Sequence, residues 1–368
     1  MRVLVTGANG FIGSNLCIRL GEGPGIQILP VSRSTSTADF ARQINCADFV
    51  FHLAGVNRPV IAADFVSGNT DLTRWICETL GRSGRPVPVA FASSTQAEKD
   101  NPYGLSKLAA EQVLREYSRL TGAPVFIYRL TNVFGKWCRP NYNSVVATFC
   151  YNIARDLPIQ INDGAPPLRL TYIDDVVASF LGLLAESPVV EQVSVSPFYE
   201  TTVRAVAEQL LAFRDSRRDL RMPNVGVGLS RALYSTYVSY LPPEAFAYEV
   251  PRYGDERGVF VEMMKTSEAG QFSYFTALPG VTRGSHYHHT KTEKFLVLQG
   301  TARFGFRNLL TNDRHSVEVR AEDNQIVETI PGWAHDVTNT GSEKLIVMLW
   351  ANEVFDRARP DTVIAKVG

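Results

Sequence analysis

Tyr103 and Lys107 stand four residues apart in Tyr103-Gly104-Leu105-Ser106-Lys107, a spacing that puts both side chains on one face of a helix. A phenol beside an ammonium has its pKa drawn down from about 10, so it can exchange a proton with a carbonyl oxygen. Just upstream, the strand reading Val87–Ala92 ends in Ser93-Ser94-Thr95, and a hydroxyl there can hold the same oxygen. A tyrosine and lysine at this spacing occur on many solvated helices, so the pair takes its meaning from what precedes it. That is Gly7-Ala8-Asn9-Gly10-Phe11-Ile12-Gly13, set between a strand pattern (Val3–Thr6) and a helix pattern (Phe11–Leu20). Gly7 permits a tight turn, Gly10 lets a pyrophosphate approach, and Gly13 lets the helix pack on the strand. The helix N-terminus then offers its free N–H groups to phosphate.

Cofactor choice is read where the second strand ends. Pro30-Val31-Ser32-Arg33-Ser34 has no acid before Asp39, whereas an NAD enzyme usually holds the ribose hydroxyls with one there. A guanidinium flanked by hydroxyls suits a 2′-phosphate. Arg33 therefore points to NADPH.

A second cluster lies far downstream. Gly280, His286, His288, Glu293 and Gly300 form one stretch, and Pro331-Gly332-Trp333-Ala334-His335 with Asn339 forms another. Residues i and i+2 of a strand share a face, so His286 and His288 can both face a barrel interior, joined by Glu293 and by His335 from a later strand. Three imidazoles and a carboxylate suit a divalent metal, zinc foremost, with manganese, iron or nickel as alternatives. His289 points outward on a regular strand.

These residues need elements to hold them. Strand candidates Val3–Thr6, Ile26–Val31, Phe49–Leu53, Val87–Ala92 and Val125–Arg129 alternate with helical patterns at Phe11–Leu20, Leu72–Gly81 and Pro102–Leu120. This predicts a doubly wound parallel α/β sheet of Rossmann type. Between Arg217 and Pro251 the pattern loosens, with a short helix at Leu233–Leu241. Beyond Arg257, short runs at Val259–Met264, Phe272–Ala277, Phe295–Leu298, Ala302–Arg307, Ser316–Val319 and Leu345–Trp350 predict an all-β barrel. The boundary is placed near 245, giving domains 1–245 and 246–368.

Bulk composition sets limits. The 368 residues carry 37 basic and 37 acidic side chains, so no basic field recruits nucleic acid. The N-terminus reads as a strand rather than a signal peptide, and no run has the roughly 18 apolar residues of a spanning helix. The 5 cysteines have no paired spacing, which argues for reduced thiols and a cytoplasmic enzyme.

Residues 1 to about 245 resemble an extended short-chain dehydrogenase/reductase (SDR) acting on a nucleotide sugar. The resemblance rests on TGANGFIG, on Phe51–Gly55 (FHLAG), on Ser93-Ser94, on Tyr103 with Lys107, and on Arg129–Gly135 (RLTNVFG). It implies that Ser94 is the carbonyl-orienting hydroxyl, with Thr95 the close alternative. It implies dinucleotide contacts at Gly7, Asn9, Gly10, Phe11, Ile12, Leu53, Ala54, Tyr103 and Lys107, and a diphosphate contact at Asn132. The family's arginine, seven residues before the second Asp of Ile173-Asp174-Asp175, is replaced by Leu168; Arg169 stands one place off and its role is not transferred.

The downstream domain resembles a cupin. Its first motif fits without a gap; its second has Pro-Gly-x-x-His in place of Pro-x-Gly-x-x-His and lacks the leading glycine. Asp255–Glu262 and Gly280–Tyr287 also resemble the dTDP-4-dehydrorhamnose 3,5-epimerases, metal-free cupins in which the histidine matching His286 is a base. His286 thus has two candidate roles, ligand or base. A reductase fused to an epimerase-like cupin, with DNPYGLSK and FGKWCRPNYNSV, resembles the CapF-type bifunctional enzymes of capsular polysaccharide synthesis. That resemblance implies a homodimer acting on a UDP-2-acetamido-2,6-dideoxy-4-hexulose: C3 epimerisation in the cupin, then C4 reduction to a 6-deoxy-talosamine derivative on the route to UDP-N-acetyl-L-fucosamine. The rivals are a single-activity reductase with a structural, dimer-forming cupin, and a non-catalytic NADPH sensor.

Overall fold

The computed structural model describes residues 1–368 apart from 60, 62, 163, 165, 186–191, 246–247, 249, 289–290, 310–311, 330–332 and 359. His289, Pro331 and Gly332 therefore lie outside the described residues. The chain divides into two compact units. One is Met1–Glu208 with Ser235–Tyr240; the other is Gln209–Tyr234 with Leu241–Gly368.

The first unit contains strands β1 (Arg2–Thr6), β2 (Gln27–Val31), β3 (Phe49–His52), β4 (Val89–Ser94), β5 (Val125–Leu130), β6 (Asn132–Phe134), β7 (Leu168–Tyr172), β8 (Gln192–Val193) and β9 (Tyr199–Thr201). The main sheet runs β2-β1-β3-β4-β5-β8, with every pairing parallel. The apolar runs that predicted strands form them because both sheet faces are covered. On one face, Phe40, Ile44, Ile76, Leu80, Ala110 and Leu114 from helices Thr37–Cys46, Leu72–Arg82 and Pro102–Thr121 pack on Leu4, Val50, Val89 and Ile127. On the other, Phe180 of helix Ile173–Ala185 meets Phe51 and Tyr128, with ring centroids 5.4 and 4.7 Å apart. Strand order reverses around β1, which opens a crevice at its carboxyl end, the switch point where such sheets take ligands.

Local chemistry sets the ends of the long helix Pro102–Thr121. Asn101 caps it by accepting from Gly104 N at 2.9 Å, Pro102 opens it, and Gly122 closes it at φ +74°.

In the second unit the strands are β10 (Arg252–Asp255), β11 (Gly258–Thr266), β12 (Gly270–Ala277), β13 (Thr282–Tyr287), β14 (Glu293–Gln299), β15 (Thr301–Asn308), β16 (Arg314–Arg320), β17 (Ile326–Glu328), β18 (Trp333–Asn339), β19 (Leu345–Ala351) and β20 (Val363–Ile364). They form two antiparallel sheets, β10-β11-β12-β19-β14-β17 and β16-β15-β18-β13-β20. Phe275, Phe295, Val297 and Val347 of one sheet pack on Phe304, Val319 and Val337 of the other. The connecting region is more ordered than its sequence suggested: a helix spans Gly228–Val238, starting five residues before the predicted Leu233.

Two glycines show how tightly β1 meets its helix. Gly7 sits at φ +66°, and a Cβ on Gly13 would lie 2.1 Å from Gly7 O. Gly13→Ala should therefore cost the first unit about 1–3 kcal/mol through overpacking, read by urea denaturation. Gly182, in the exposed interior of helix Ile173–Ala185, has nothing within 4 Å of a built Cβ, so Gly182→Ala should instead stabilise by about 0.5–1 kcal/mol. Equal effects at both positions would refute the crowding argument.

Candidate functional site

Gly7 follows β1, and Gly10 N donates to Gly7 O at 2.8 Å, closing the turn. Helix Phe11–Gly21 then begins with Gly10 as its N-cap and no side-chain cap, leaving its first N–H groups free for an anion. Asn9 and Gly10 are exposed, while Phe11 and Ile12 are half-buried. Leu53 and Ala54 follow β3 beside this turn, where a Cβ on Gly7 would come within 2.9 Å of Ala54 N. The cradle is built to exclude side-chain bulk, and a dinucleotide pyrophosphate fits it. Arg33 lies exposed on the turn after β2, next to Ser32 and Ser34, whose hydroxyls are 2.8 Å apart.

The residues expected to act on a carbonyl lie around the carboxyl ends of β4 and β5. Ser93 and Ser94 point to different tasks. The Ser93 hydroxyl donates to the buried Glu111 carboxylate at 2.6 Å, so it is committed to structure. Ser94 accepts from Gln96 N at 3.1 Å, and its hydroxyl is the neighbour that draws the Tyr103 phenol down against burial. Thr95 opens a 3₁₀ turn immediately after. Glu111 itself takes Arg129 in a two-pronged ion pair, at 3.0 and 2.7 Å. Burial pushes Glu111 up, but the bonds from Arg129 and Ser93 outweigh it and hold its carboxyl below the usual range.

One expectation changes here. The ammonium of Lys107 was to lower the Tyr103 phenol, yet the phenol is raised: burial dominates, only partly opposed by the Ser94 hydrogen bond. Lys107 is spent elsewhere, donating to Ala92 O at 2.9 Å and lying over the Phe91 ring at 4.7 Å. Its own pKa is lowered to about 8 by burial, against the pull of Glu111. Asn132 is exposed on β6. Arg169 pairs with Glu200 at 2.8 Å and covers the Phe198 ring.

In the second unit, the ligand atoms of His286, His288, Glu293 and His335 all lie within 4.8 Å of one another. Antiparallel register puts His286 directly opposite His335 on β13 and β18. A bulge at Gly284–His286, with Ser285 at φ +61°, resets the strand just before the first histidine. His288 lies one residue past the end of β13, buried nonetheless, so its placement does not rest on strand alternation alone.

The cluster passes the test of fit for a metal. His335 is buried and neither ring nitrogen has a hydrogen-bond partner; its Nε2 approaches Glu293 Oε2 at 3.4 Å without the alignment of a bond. His288 Nδ1 donates to the carbonyl of Asp361, which turns Nε2 inward to within 3.4 Å of the same oxygen, where it could serve as a ligand atom. Lys291 holds the other oxygen, Oε1, at 3.2 Å. Burial alone would raise Glu293, yet His288, His335 and Lys291 hold it well below the usual range. His286, the half-buried member, is lowered to about 4 by burial and then by His335. Sequence reasoning missed Lys291 and Asp361. Lys291 lay within sight, two residues before Glu293; Asp361 acts through a backbone carbonyl and left no signal.

The comparisons agree with both halves. Residues 3–195 match the NAD dependent epimerase/dehydratase family, and residues 253–363 match the polysaccharide biosynthesis C-terminal domain. A UDP-2-acetamido-2,6-beta-L-arabino-hexul-4-ose reductase from Pseudomonas aeruginosa is 55% identical, covering 100% of this chain and 99% of its own length. The crystal structure of the capsular polysaccharide assembling protein CapF from Staphylococcus aureus superposes with a TM-score of 0.94 at 40% identity, covering 100% of both chains. A UDP-glucuronic acid 4-epimerase from Bacillus cereus, in complex with NAD, shares the fold of 66% of this chain, with a TM-score of 0.56 at 19% identity.

The Arg129–Glu111 pair is the electrostatic anchor of this region, with the Glu111 side chain 0% and the Arg129 side chain 18% exposed. Glu111→Gln should destabilise the first unit by about 3 kcal/mol, read by urea denaturation, because it removes the buried carboxylate from a largely buried guanidinium and leaves it only the exposed Glu98, at 2.9 Å. A loss below about 1 kcal/mol, the scale of an exposed pair, would show that the anchor is not needed.

Proposed function

Since the chain belongs to the NAD dependent epimerase/dehydratase family, joined to a polysaccharide biosynthesis C-terminal domain, we propose that it is a bifunctional UDP-sugar enzyme of surface-polysaccharide synthesis. The cupin module, 246–368, epimerises C3 of a UDP-2-acetamido-2,6-dideoxy-4-hexulose. The reductase module, 1–245, then reduces C4 to UDP-N-acetyl-6-deoxy-talosamine, on the route to UDP-N-acetyl-L-fucosamine. One observation carries this reading: a single chain holds both a Ser94–Tyr103 pair beside a glycine cradle and a buried His/Glu cluster. The printed name of the Pseudomonas aeruginosa relative supports the substrate class.

NADPH, when bound, supplies the hydride for C4. Tyr103 gives the ketone oxygen its proton, and burial suits it to the task by keeping the phenol protonated. Ser94 orients the oxygen, Lys107 holds the tyrosine helix against β4, and Asn132 contacts the diphosphate. A divalent metal, zinc foremost, would be held by His286, His288, Glu293 and His335, and would supply Lewis-acid stabilisation of negative charge. The low pKa of His286 leaves its lone pair free at neutral pH, either for the metal or for the C3 proton. Epimerisation comes first, because the C4 ketone is what acidifies C3. By the same reading the enzyme works as a homodimer in the cytoplasm, a compartment that keeps its 5 free cysteines reduced.

The test uses the keto sugar in deuterium oxide without NADPH. Wild type should exchange the C3 proton. Tyr103→Phe should keep that exchange while losing NADPH oxidation by about a hundredfold or more, and His286→Ala should lose the exchange. Absence of exchange in wild type, or its survival in His286→Ala, overturns the epimerase assignment and leaves a reductase with a structural cupin. Wild-type turnover in Tyr103→Phe overturns the reductase assignment.

Arg33→Ala should weaken NADPH binding about tenfold or more and leave NADH binding within about twofold, since a charge-assisted bond to the 2′-phosphate is lost only from the former. Equal losses in fluorescence titrations with the two cofactors would make Arg33 a bystander.

A further inference from the structure

His52, at the end of β3, is buried and is flanked by hydroxyls on both ring nitrogens: Thr6 Oγ1 on Nδ1 and Thr73 Oγ1 on Nε2, each at 2.9 Å. Donor counting settles every proton in this row. Thr6 Oγ1 accepts from Leu53 N and from Ala54 N, both at 3.0 Å, which fills its two acceptor positions. Its one proton must therefore go to His52 Nδ1. The ring then carries its own proton on Nε2 and donates it to Thr73 Oγ1. Thr73 in turn donates to the backbone carbonyl of Asn69 at 2.6 Å. An imidazolium, or a ring with its proton on Nδ1, would set two donors against each other at Thr6. Thr6, His52, Thr73 and Asn69 are each at most 1% exposed, so water cannot repair a mismatch.

The row joins two places that the function needs at a fixed separation. At one end stand Leu53 and Ala54, directly after β3 and against Gly7. At the other, Asn69 holds the loop and the tyrosine helix together. Its side chain accepts from Val56 N and donates to Val56 O and to Ser106 Oγ, each at 2.9 Å. Ser106 then donates to the backbone carbonyl of Tyr103 at 2.8 Å.

We infer that His52, as the neutral Nε2–H tautomer, is a positioning residue: it fixes the loop Leu53–Val56 at the dinucleotide site against the helix that carries Tyr103 and Lys107. The inference rests on the cofactor reading above, in which Leu53 and Ala54 border the bound dinucleotide. It goes beyond it by assigning a protonation state and a task to a residue that touches neither cofactor nor substrate. Phe91 packs on the His52 ring, with centroids 5.2 Å apart, and also carries Lys107 on its face.

The test pairs a spectroscopic readout with a binding one. In the full-length protein with nitrogen-15-labelled histidine, the His52 signals among the 6 histidines are assigned by their loss in His52→Gln. Wild type should show a protonated Nε2 and a bare Nδ1 at neutral pH. Thr73→Val, which keeps the shape and removes the hydroxyl, should shift the His52 Nε2 signal and weaken NADPH binding about tenfold, the scale of one lost buried hydrogen bond. Thr73→Ser, which keeps the hydroxyl, should stay within about twofold of wild type on the same scale. A protonated Nδ1 in wild type overturns the proposal, and so does unchanged NADPH binding in Thr73→Val. Should that variant not fold, the wild-type tautomer still decides. If wild-type protein binds neither NADPH nor NADH, the cofactor reading itself has failed, whichever tautomer is seen.

Discussion

A lysine ammonium buried to 5% exposure under the carboxyl edge of a parallel sheet is the constraint from which the first unit's site follows. Such a charge survives only with compensation. The Ala92 carbonyl accepts from Lys107, the Phe91 ring lies beneath it, and Glu111 stands one helical turn on. The first contact pins the tyrosine helix to β4. Glu111 would be a second buried charge, so it draws in Arg129 from β5 and the hydroxyl of Ser93. With Ser93 committed, Ser94 is the member of the doublet that meets Tyr103. His52 stays neutral under the same cation: burial and Lys107 together lower it to about 3.

The second unit inverts the arrangement. Its buried charge is an anion, Glu293, and the groups around it are histidines and a lysine rather than carbonyls. Lys291 on one oxygen leaves the other facing His288 and His335. The Asp361 carbonyl turns His288 the right way, the Asp361 carboxylate accepts from Lys291 N at 2.8 Å, and β20 pairs with β13 at His286. The last residues of the chain thus act as a strap behind the cluster, fixing histidine orientation as second partners do in metal sites.

Much of this was legible in the sequence, for identifiable reasons. Glycines at 7, 10 and 13 mark a backbone approach that no other residue allows, so the turn declares itself locally. The parallel strands are apolar on both faces, and the observed helix Pro102–Thr121 lies within a residue of the periodic pattern. What stayed hidden is non-local. Helical spacing shows that Tyr103 and Lys107 share a face, but not that the ammonium ends on Ala92 O, and so not that burial wins at the phenol. Thr6 and His52 sit singly at the ends of apolar runs and Thr73 stands between Leu72 and Arg74, where each reads as an isolated polar residue; only the fold aligns them. The bulge at Gly284–His286 likewise has no signature beyond its glycine.

The two proposed chemistries ask for opposite proton inventories, and the buried groups of the two units match what that proposal needs. Reducing a ketone needs a proton delivered as hydride arrives, so the acid must stay protonated while free; burial raises the Tyr103 phenol in the direction the proposed role requires, and the nearby cation is held aside on a carbonyl. Removing a carbon-bound proton needs an open lone pair and a stabiliser for the charge left behind. His286, lowered to about 4, keeps its lone pair open across the neutral range, beside a carboxylate fixed as an anion. The same term, loss of water around a side chain, raises a phenol and lowers an imidazole, because it disfavours the charged form of each. Burial is therefore the largest single cause in both units, and it moves each group in the direction its proposed role requires. In the proposed function the order of the steps follows from the sugar: once C4 carries a hydroxyl, C3–H is no longer acidic and the open lone pair has nothing to take.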